Sequence, residues 1–277
     1  MVVARRRAEL ASARAALPGS VGAVFTMGAL HDGHRALLTA AREQDDSLVA
    51  TIFVNPLQFG PAEDLSRYPQ SLEADLALCE QAGVDLVWVP EVDDVYVGGL
   101  PRVSVDPGPL ATDLEGASRP GHFAGVLTVV CKLLHLTAPM RSYFGQKDYQ
   151  QIALVRRMVH DLDLGADIVE VPTVREADGL ARSSRNVYLD EAQRAAAVAL
   201  SAALRASADA ARIGSDRDTV LNVGRQLLAA EPGVAIDYYE LRAPDLSPAP
   251  EHGEARMLVA ARVGSTRLID NYPVELR

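Results

Sequence analysis

The sequence has few cysteines and no long apolar run, and both shortages exclude whole classes of protein. Its 277 residues include two cysteines, Cys79 and Cys131, which have neither the CxxC pairs of a zinc site nor the spacing of a disulfide framework. No uninterrupted apolar run approaches the roughly 18 residues that span a membrane. Arg5-Arg6-Arg7 is not followed by the apolar stretch of a secretory signal. We therefore expect a cytoplasmic protein in a reducing compartment.

Positive charge is also scarce, because 27 Lys and Arg residues face 37 Asp and Glu residues, a formal net charge of −10. Such a chain is not attracted non-specifically to a nucleic-acid backbone or to an anionic membrane surface. We expect neither nucleic acid nor membrane as a partner, and any anionic ligand must meet a local cluster of cations. The acidic charge and the lack of an RNA-binding appendage also argue against a tRNA-synthetase-like role.

Apolar residues, by contrast, make up 48% of the chain, which is enough to build the core of one large domain or two. Up to about residue 170, apolar strand-like runs alternate with segments of helical period. This pattern predicts a Rossmann-like α/β domain with a doubly wound parallel sheet covered on both faces. The predicted strands are 21–26, 47–54, 84–90, 141–144 and 166–172, and the predicted helices lie near 5–16, 33–44, 71–82, 122–137 and 147–162.

The character of the sequence changes near residue 173. Two helical segments, 190–212 and 216–230, come first, and strand-like segments follow from residue 234. Helices followed by consecutive strands indicate a separate, smaller α+β domain. We therefore place the domains at 1–173 and 174–277.

Two histidines, in the run His31-Asp32-Gly33-His34, lie between the first of these strands and the helix after it. Ligands of open parallel sheets bind beyond the carboxyl ends of the strands, where this turn must lie. A helix N-terminus offers N–H groups to phosphate, and imidazoles can stabilise charge that grows during phosphoryl transfer. Two alternatives stay open: a helix cap or core histidine, or zinc, although the spacing and the lack of a third ligand disfavour metal.

Further polar segments follow other predicted strands. In Gly145-Gln146-Lys147-Asp148, the ammonium suits phosphate and the carboxylate suits ribose hydroxyls, although an exposed ion pair at a helix start would look the same. Arg182-Ser183-Ser184-Arg185 suits polyphosphate, or is an ordinary solvated loop. Asn55 and Gln58 are neutral groups suited to substrate hydroxyls, and Asn55 before Pro56 also suits a turn.

Five segments together, in their order and spacing, resemble the pantothenate synthetase, or pantoate–β-alanine ligase, family. They are TMGALHDGH (26–34), FVNPLQFG (53–60), RPGHFAGVLTVV (119–130), FGQKDYQQ (144–151) and SSRNVYL (183–189). An HxGH motif alone marks only the wider nucleotidylyltransferase superfamily. The resemblance implies ATP-dependent condensation of D-pantoate with β-alanine through a pantoyl adenylate, with release of pyrophosphate and AMP.

The resemblance also implies roles for individual residues. It assigns catalysis to His34, His31 and Lys147, and it assigns pantoate to Gln58 and Gln151 together with Met27. Gln58 is also the expected contact of β-alanine. The expected ATP-binding residues are Met27, Gly28, Ala29, Leu30, His31, Asp32, Gly33, His34, Gly145, Gln146, Lys147, Asp148, Val174, Arg182, Ser183, Ser184 and Arg185.

Magnesium and a second copy of the chain complete what the resemblance implies. Mg²⁺ is expected to be held largely by the ATP phosphates, and Asp75 lies near the position where the family is thought to hold metal. The family is homodimeric, and its second domain closes over the ATP site. Within the matching segments, Phe25 replaces the usual proline and Arg182 the common methionine. Arg119 and His122 are typical of the family but receive no role.

Two other functions are compatible with parts of the pattern. A nucleotidylyltransferase would pass AMP or CMP to a phosphorylated alcohol, but its site would need additional cations, whereas segments 55–60 and 149–151 offer Asn and Gln. A catalytically silent nucleotide-binding protein would lack His34 or Lys147, and both are present. The sequence therefore favours the ligase.

Overall fold

A computed structural model describes residues 1–60 and 71–277, and the strands of this part of the chain form two sheets. The first sheet is parallel throughout, with the spatial order β1-β4-β3-β2-β5-β6. Its strands are β1 (Val2–Ala4), β2 (Val21–Thr26), β3 (Ser47–Ile52), β4 (Leu86–Trp88), β5 (Arg141–Gly145) and β6 (Asp167–Val171). The helices around it are α1 (Arg7–Ala15), α2 (Asp32–Gln44), α3 (Leu72–Gln81), α4 (Val92–Val95), α5 (Glu115–Ser118), α6 (His122–Thr137) and α7 (Tyr149–Asp161).

Both faces of this sheet are buried, which explains why its strands read as nearly continuous apolar runs. On one face, Val49 and Trp88 belong to a core shared with α6 and α7. On the other face, the neighbouring Ala50 and Val87 pack in a core shared with α2 and α3. The predicted parallel α/β sheet with helices on both faces is therefore confirmed.

One strand is not predicted by the sequence pattern, and one helix begins later than predicted, both for physical reasons. β1 has three residues and pairs with β4 at the edge of the sheet, and three residues are too few to show a period. α7 begins at Tyr149 rather than at residue 147, because Gln146–Asp148 form a 3-10 turn first. The turn matters because it contains Lys147.

The second sheet is an antiparallel meander with the order β7-β8-β9. It is formed by β7 (Val234–Arg242), β8 (Gly253–Val263) and β9 (Thr266–Leu276), and it packs with α8 (Glu191–Arg212) and α9 (Arg217–Ala230) around its own apolar core. The predicted smaller α+β portion of the chain is therefore confirmed.

The described residues divide into two compact units. The first contains Met1–Gly145 and Gln151–Pro172, and the second contains Gln146–Gln150 and Thr173–Arg277. The predicted limits place Gln146–Gln150 in the first domain, and here the structure differs. The Asn271 side-chain amide donates to the carbonyl oxygens of Gln146 and Lys147 at 2.8 and 3.0 Å, which ties this turn to β9.

In the first unit, β2 lies between β3 and β5. After β2 the chain adds β3 and β4 on one side of it, and then adds β5 and β6 on the other side. The carboxyl ends of β2 and β5, at Thr26 and Gly145, flank this topological switch point. Open parallel sheets bind ligands beyond such ends. Within the described part of the chain, no helix combines the length and apolar character that crossing a bilayer requires.

Candidate active site

The turn after β2 has a backbone conformation that L-residues rarely adopt. Gly28 has φ +86°, and the alanine after it has φ +51°. A Cβ atom on Gly28 would lie 3.1 Å from Oδ2 of Asp75 and 3.4 Å from a methyl group of Ile52. Glycine is therefore required here both for its conformational freedom and for the close approach of Asp75.

Asp75, on α3, holds this turn by accepting hydrogen bonds from its backbone. Its Oδ2 accepts the N–H of Ala29 at 2.9 Å, and its Oδ1 accepts the N–H of Leu30 at 2.8 Å and the hydroxyl of Ser71 at 3.0 Å. The side chain is buried, and charge-assisted bonds of this kind are stronger than neutral ones. The structure thus shows Asp75 as the residue that shapes the turn.

A metal-binding role for Asp75 stays a prediction from the resemblance, and the carboxylate fits such a role poorly because both oxygens already accept amide protons. Across residues 1–60 and 71–277, no group of three or more His, Cys, Asp or Glu side chains is arranged to hold a metal ion.

Asp75→Asn is expected to destabilise the protein by about 1–3 kcal/mol, because the new NH₂ group would face a backbone N–H in a buried position. The rate of adenylate formation is also expected to fall, because the turn loses one of the two hydrogen bonds that Asp75 accepts from it. Glu73→Gln removes an exposed charge from the same helix and serves as the control. Urea unfolding and a magnesium titration measure both effects, and full rescue by raised Mg²⁺ would show that Asp75 holds metal instead.

The two histidines cap α2 reciprocally. Nδ1 of His31, the N-cap residue, accepts the N–H of Gly33 at 3.1 Å, and Nδ1 of His34 accepts the N–H of His31 at 3.2 Å. Because both Nδ1 atoms accept, the proton of each neutral ring lies on Nε2. Each ring can therefore cap the helix with one nitrogen and donate from the other, so the capping and phosphate-binding interpretations are compatible.

Gly33 makes this arrangement possible. A Cβ atom there would lie 2.9 Å from Cε1 of His31, which is closer than real side chains approach. The two rings stand with their centroids 4.2 Å apart and their planes tilted by 40°. They share the N-terminus of α2, whose positive dipole end favours an anion.

Gln58 and Met27, both predicted pantoate contacts, lie side by side in the structure. Nε2 of Gln58 is 2.7 Å from Sδ of Met27, and Oε1 of Gln58 accepts from the Asn55 amide at 3.2 Å. Asn55 itself is buried, and its Oδ1 accepts the hydroxyl of Tyr96 at 2.7 Å and the N–H of Leu57 at 3.3 Å. Asn55 therefore shapes the turn, which leaves Gln58 as the stronger candidate for substrate contact.

In the second unit, Lys147 follows β5 in the 3-10 turn. Its Nζ lies 3.8 Å from Oδ1 of Asp148, and the side chains are 17% and 52% exposed, so the pair is a weak one. Asn271 holds the turn through backbone carbonyls, and its own Oδ1 accepts from Arg256 at 2.7 Å. The sequence analysis did not predict that Asn271 holds the Lys147 turn. The available signal was the polar pair Asp270-Asn271, which follows Leu268-Ile269 in a predicted strand.

The segment from Val174 to Arg185 folds back on itself in the second unit. The N–H of Arg182 donates to the carbonyl of Val174 at 2.9 Å, and Ser183 caps a 3-10 helix by accepting the N–H of Arg185 at 3.2 Å. The guanidinium of Arg182 lies 3.1 Å from Oε1 of Glu176. The arginine that replaces the common methionine therefore has a carboxylate partner.

Glu176 collects hydrogen bonds from three side chains, those of Asn186, Arg194 and Arg182. Burial raises the pKa of Glu176, but these hydrogen bonds outweigh it and hold the pKa below the ordinary value of 4.5. A lowered pKa means that the native state favours the ionised form. The stability that Glu176 contributes is therefore present above pH 4.5 and is lost as the pH falls through the lowered pKa.

Glu176→Gln is expected to lower the urea midpoint at pH 7, and the difference from wild type should shrink as the pH falls below 4.5. The amide cannot pair with Arg194 as a charge, and at low pH the wild-type carboxyl loses the same advantage. Glu251→Gln, at an exposed position, is the control. A constant difference between pH 7 and pH 3.5 would contradict the role of the carboxylate charge.

The predicted site residues fall in both units. Met27 to His34, Gln58, Asp75, Gly145 and Gln151 belong to the first unit, whereas Gln146, Lys147, Asp148, Val174, Arg182, Ser183, Ser184 and Arg185 belong to the second. Within the first unit, the structure brings Met27 to Gln58 and Asp75 to the turn before His31.

Known proteins of one family match this chain over nearly its whole length. The pantoate-beta-alanine ligase family model matches residues 2–273. A curated pantothenate synthetase of Salinispora arenicola is 59% identical over 271 residues, which are 98% of this chain and 96% of that protein. One from Nocardia farcinica is 54% identical over 272 residues, covering 97% of this chain and 85% of the relative.

Solved structures give the same result. A pantothenate synthetase from Thermus thermophilus superposes with a TM-score of 0.93 at 50% identity, covering 98% of this chain and 99% of its own. The pantoate-beta-alanine ligase from Francisella tularensis, solved with a β-γ ATP and β-alanine, has a TM-score of 0.82 at 34% identity, covering 98% and 97%. With the family model and these relatives matching nearly end to end, the chain belongs to the pantoate–β-alanine ligase family.

Proposed function

We propose that this protein is an ATP-dependent ligase that joins D-pantoate to β-alanine to form pantothenate, with release of pyrophosphate and AMP. The observation that carries the proposal is the turn from Met27 to His34, held by Asp75 and closed by two capping histidines whose Nε2–H groups are donors. The family membership supports the choice of substrates, and the Francisella tularensis enzyme with its β-γ ATP and β-alanine supports ATP and β-alanine in particular.

In the first step, a carboxylate oxygen of pantoate attacks the α-phosphorus of ATP, and the bond from that phosphorus to the bridging oxygen of pyrophosphate breaks. His34 and His31 donate from Nε2 to phosphoryl oxygens as negative charge grows there. Lys147 neutralises the polyphosphate, and Ser183, Ser184 and Arg185 bind the triphosphate. Gly145 and Asp148 contact the ribose, and Val174 contacts adenine through its backbone.

In the second step, the β-alanine amine attacks the acyl carbon of the adenylate, and the bond to the AMP oxygen breaks as the amide forms. Gln58, which lies beside Met27, and Gln151 hold the pantoyl hydroxyls, and Gln58 also contacts β-alanine. Both nucleophiles come from the substrates, so the protein supplies positioning and charge compensation rather than a nucleophilic side chain.

Magnesium enters this proposal with ATP, coordinated by the phosphates, as is common for nucleotide enzymes. The resemblance further implies a homodimer in the cytoplasm. Sedimentation velocity tests the dimer, and a single species of monomer mass at micromolar concentration would contradict it.

Gln58→Ala is expected to raise the KM for pantoate about tenfold, the equivalent of roughly one hydrogen bond, while kcat changes less. The amide is lost, but the turn stays intact because Asn55 and Tyr96 hold it. Gln81→Ala, at the exposed end of α3, is the control. A pantoate dependence equal to that of wild type would remove Gln58 from the pantoate site.

Pyrophosphate release from ATP and Mg²⁺ tests the proposed function directly. With pantoate alone, we expect a burst of pyrophosphate and an enzyme-bound adenylate. Added β-alanine should convert the burst into multiple turnover, with AMP and pantothenate identified by mass spectrometry. Folded, ATP-binding protein that releases no pantoate-dependent pyrophosphate would overturn the proposal, and a stable nucleotidylated product from a phosphorylated alcohol would favour the nucleotidylyltransferase.

A further inference from the structure

Arg119 and His122 take no part in the reaction as proposed, yet both contact the turn that contains Gln58. His122 is the first residue of α6, and its Nδ1 lies 2.8 Å from the backbone carbonyl oxygen of Gln58. One guanidinium nitrogen of Arg119 lies 2.9 Å from Nε2 of His122, and another lies 3.5 Å from the same carbonyl oxygen. Arginine, imidazole and carbonyl thus form one chain of hydrogen bonds.

The direction of each hydrogen bond in this chain follows from the donors available. A guanidinium has only N–H donors, so Nε2 of His122 must accept from Arg119. The neutral imidazole then has its proton on Nδ1, which donates to the Gln58 carbonyl. Arg119 therefore sets the tautomer of His122, and that tautomer is the one that can hold the carbonyl. This is opposite to the Nε2–H tautomer of His31 and His34.

The first turn of α6 also packs directly against the backbone of the Gln58 turn. A Cβ atom on Gly125 would lie 2.1 Å from the carbonyl oxygen of Leu57 and 2.8 Å from the nitrogen of Gln58. The carbonyl oxygen of Gly125 accepts from the Asn55 amide at 3.2 Å. The turn is thus held at Asn55 by Gly125 and at Gln58 by His122.

We propose that Arg119 and His122 are positioning residues for the pantoate site, and that they act by fixing the backbone of Gln58 so that its side-chain amide meets the pantoate hydroxyls. The inference rests on the proposed function of Gln58. His122 provides the direct hydrogen bond to the carbonyl, and Arg119 keeps the imidazole in the donating tautomer.

Three variants of the full-length protein test this assignment by steady-state kinetics. His122→Ala removes the donor and is expected to raise the KM for pantoate about tenfold while the KM for ATP stays within about twofold. His122→Asn places an amide donor near Nδ1 and should restore the KM for pantoate to within about threefold of wild type. Arg119→Gln is expected to raise the same KM by about threefold to tenfold. His135→Ala, exposed on the same helix, is the control.

The double variant Gln58→Ala/His122→Ala shows whether His122 acts through Gln58. If it does, removing His122 from the Gln58→Ala protein should change the KM for pantoate less than about twofold, because coupled residues are not additive. Multiplying effects would overturn the inference, as would a silent His122→Ala beside an impaired Gln58→Ala. An unimpaired Gln58→Ala would instead remove the proposed role of Gln58 and, with it, the inference. Equal losses toward ATP and pantoate in His122→Ala, unrescued by asparagine, would show general damage and also overturn it.

Discussion

Lys147→Ala is expected to slow adenylate formation by at least about a hundredfold, because a positioned cation that compensates developing phosphate charge contributes several kcal/mol to the transition state. The Nζ atom of Lys147 has only a weak pairing with Asp148, at 3.8 Å, so its charge is not cancelled by a close carboxylate. Removing it should therefore affect the reaction far more than the fold. Single-turnover formation of the pantoyl adenylate measures the effect.

Two variants make the Lys147 result specific. Lys147→Arg keeps the charge but changes its shape, and it should recover part of the rate. Arg157→Ala removes an exposed cation of α7, whose Nε pairs with Asp161 at 2.7 Å, and should leave the rate unchanged. Adenylate formation within about threefold of wild type in Lys147→Ala would exclude the lysine from stabilising the transferring phosphoryl group.

His34→Ala is expected to have the second large effect on the rate of adenylate formation. The substitution removes both a helix cap and a hydrogen-bond donor. Nδ1 of His34 caps α2 by accepting the N–H of His31 at 3.2 Å, and loss of a cap costs about 1 kcal/mol of stability. The Nε2–H donor is lost as well, and removal of one donor to a developing oxyanion typically costs about a hundredfold to a thousandfold in rate. The alanine variant should therefore be both less stable and slower.

His34→Asn separates these two losses. The asparagine side-chain oxygen can accept the N–H of His31 as Nδ1 does, but no donor remains at the position of Nε2. We expect the asparagine variant to regain most of the stability and none of the rate, as measured by urea unfolding and by adenylate formation. A variant that regained the rate would show that His34 acts only as a cap.

The fold could be predicted to a large extent because the period of apolar residues reports burial directly. The strands of the parallel sheet are buried on both faces, so segments such as VGAVFT and SLVATI stand out as continuous apolar runs. β1 could not be predicted, because three edge residues show no period and pair only through their position beside β4. The predicted limits place Gln146–Gln150 in the first domain, whereas the structure groups them with the second unit. Asn271 contacts Gln146 and Lys147 from more than a hundred positions away, and local sequence does not report such a contact.

The sequence by itself determined which chemical groups are present to bind a nucleotide. HxGH after an apolar strand, a lysine after a second strand and two serines followed by arginine supply a helix N-terminus, donors and cations for a nucleotide. These features are local, and local spacing is enough to recognise them and the family they resemble.

Only the tertiary structure decided how these groups are supported, because each support joins residues that are distant in sequence. Asp75 meets the turn before His31 across 45 positions, Arg119 and His122 meet Gln58 across 61 and 64, and Asn271 meets Lys147 across 124. A buried carboxylate or imidazole must find hydrogen-bond partners when the chain folds, and the chain path alone determines which backbone groups are within reach. The tautomers of the histidines were decided in the same way, because a ring nitrogen accepts or donates according to the neighbour it meets.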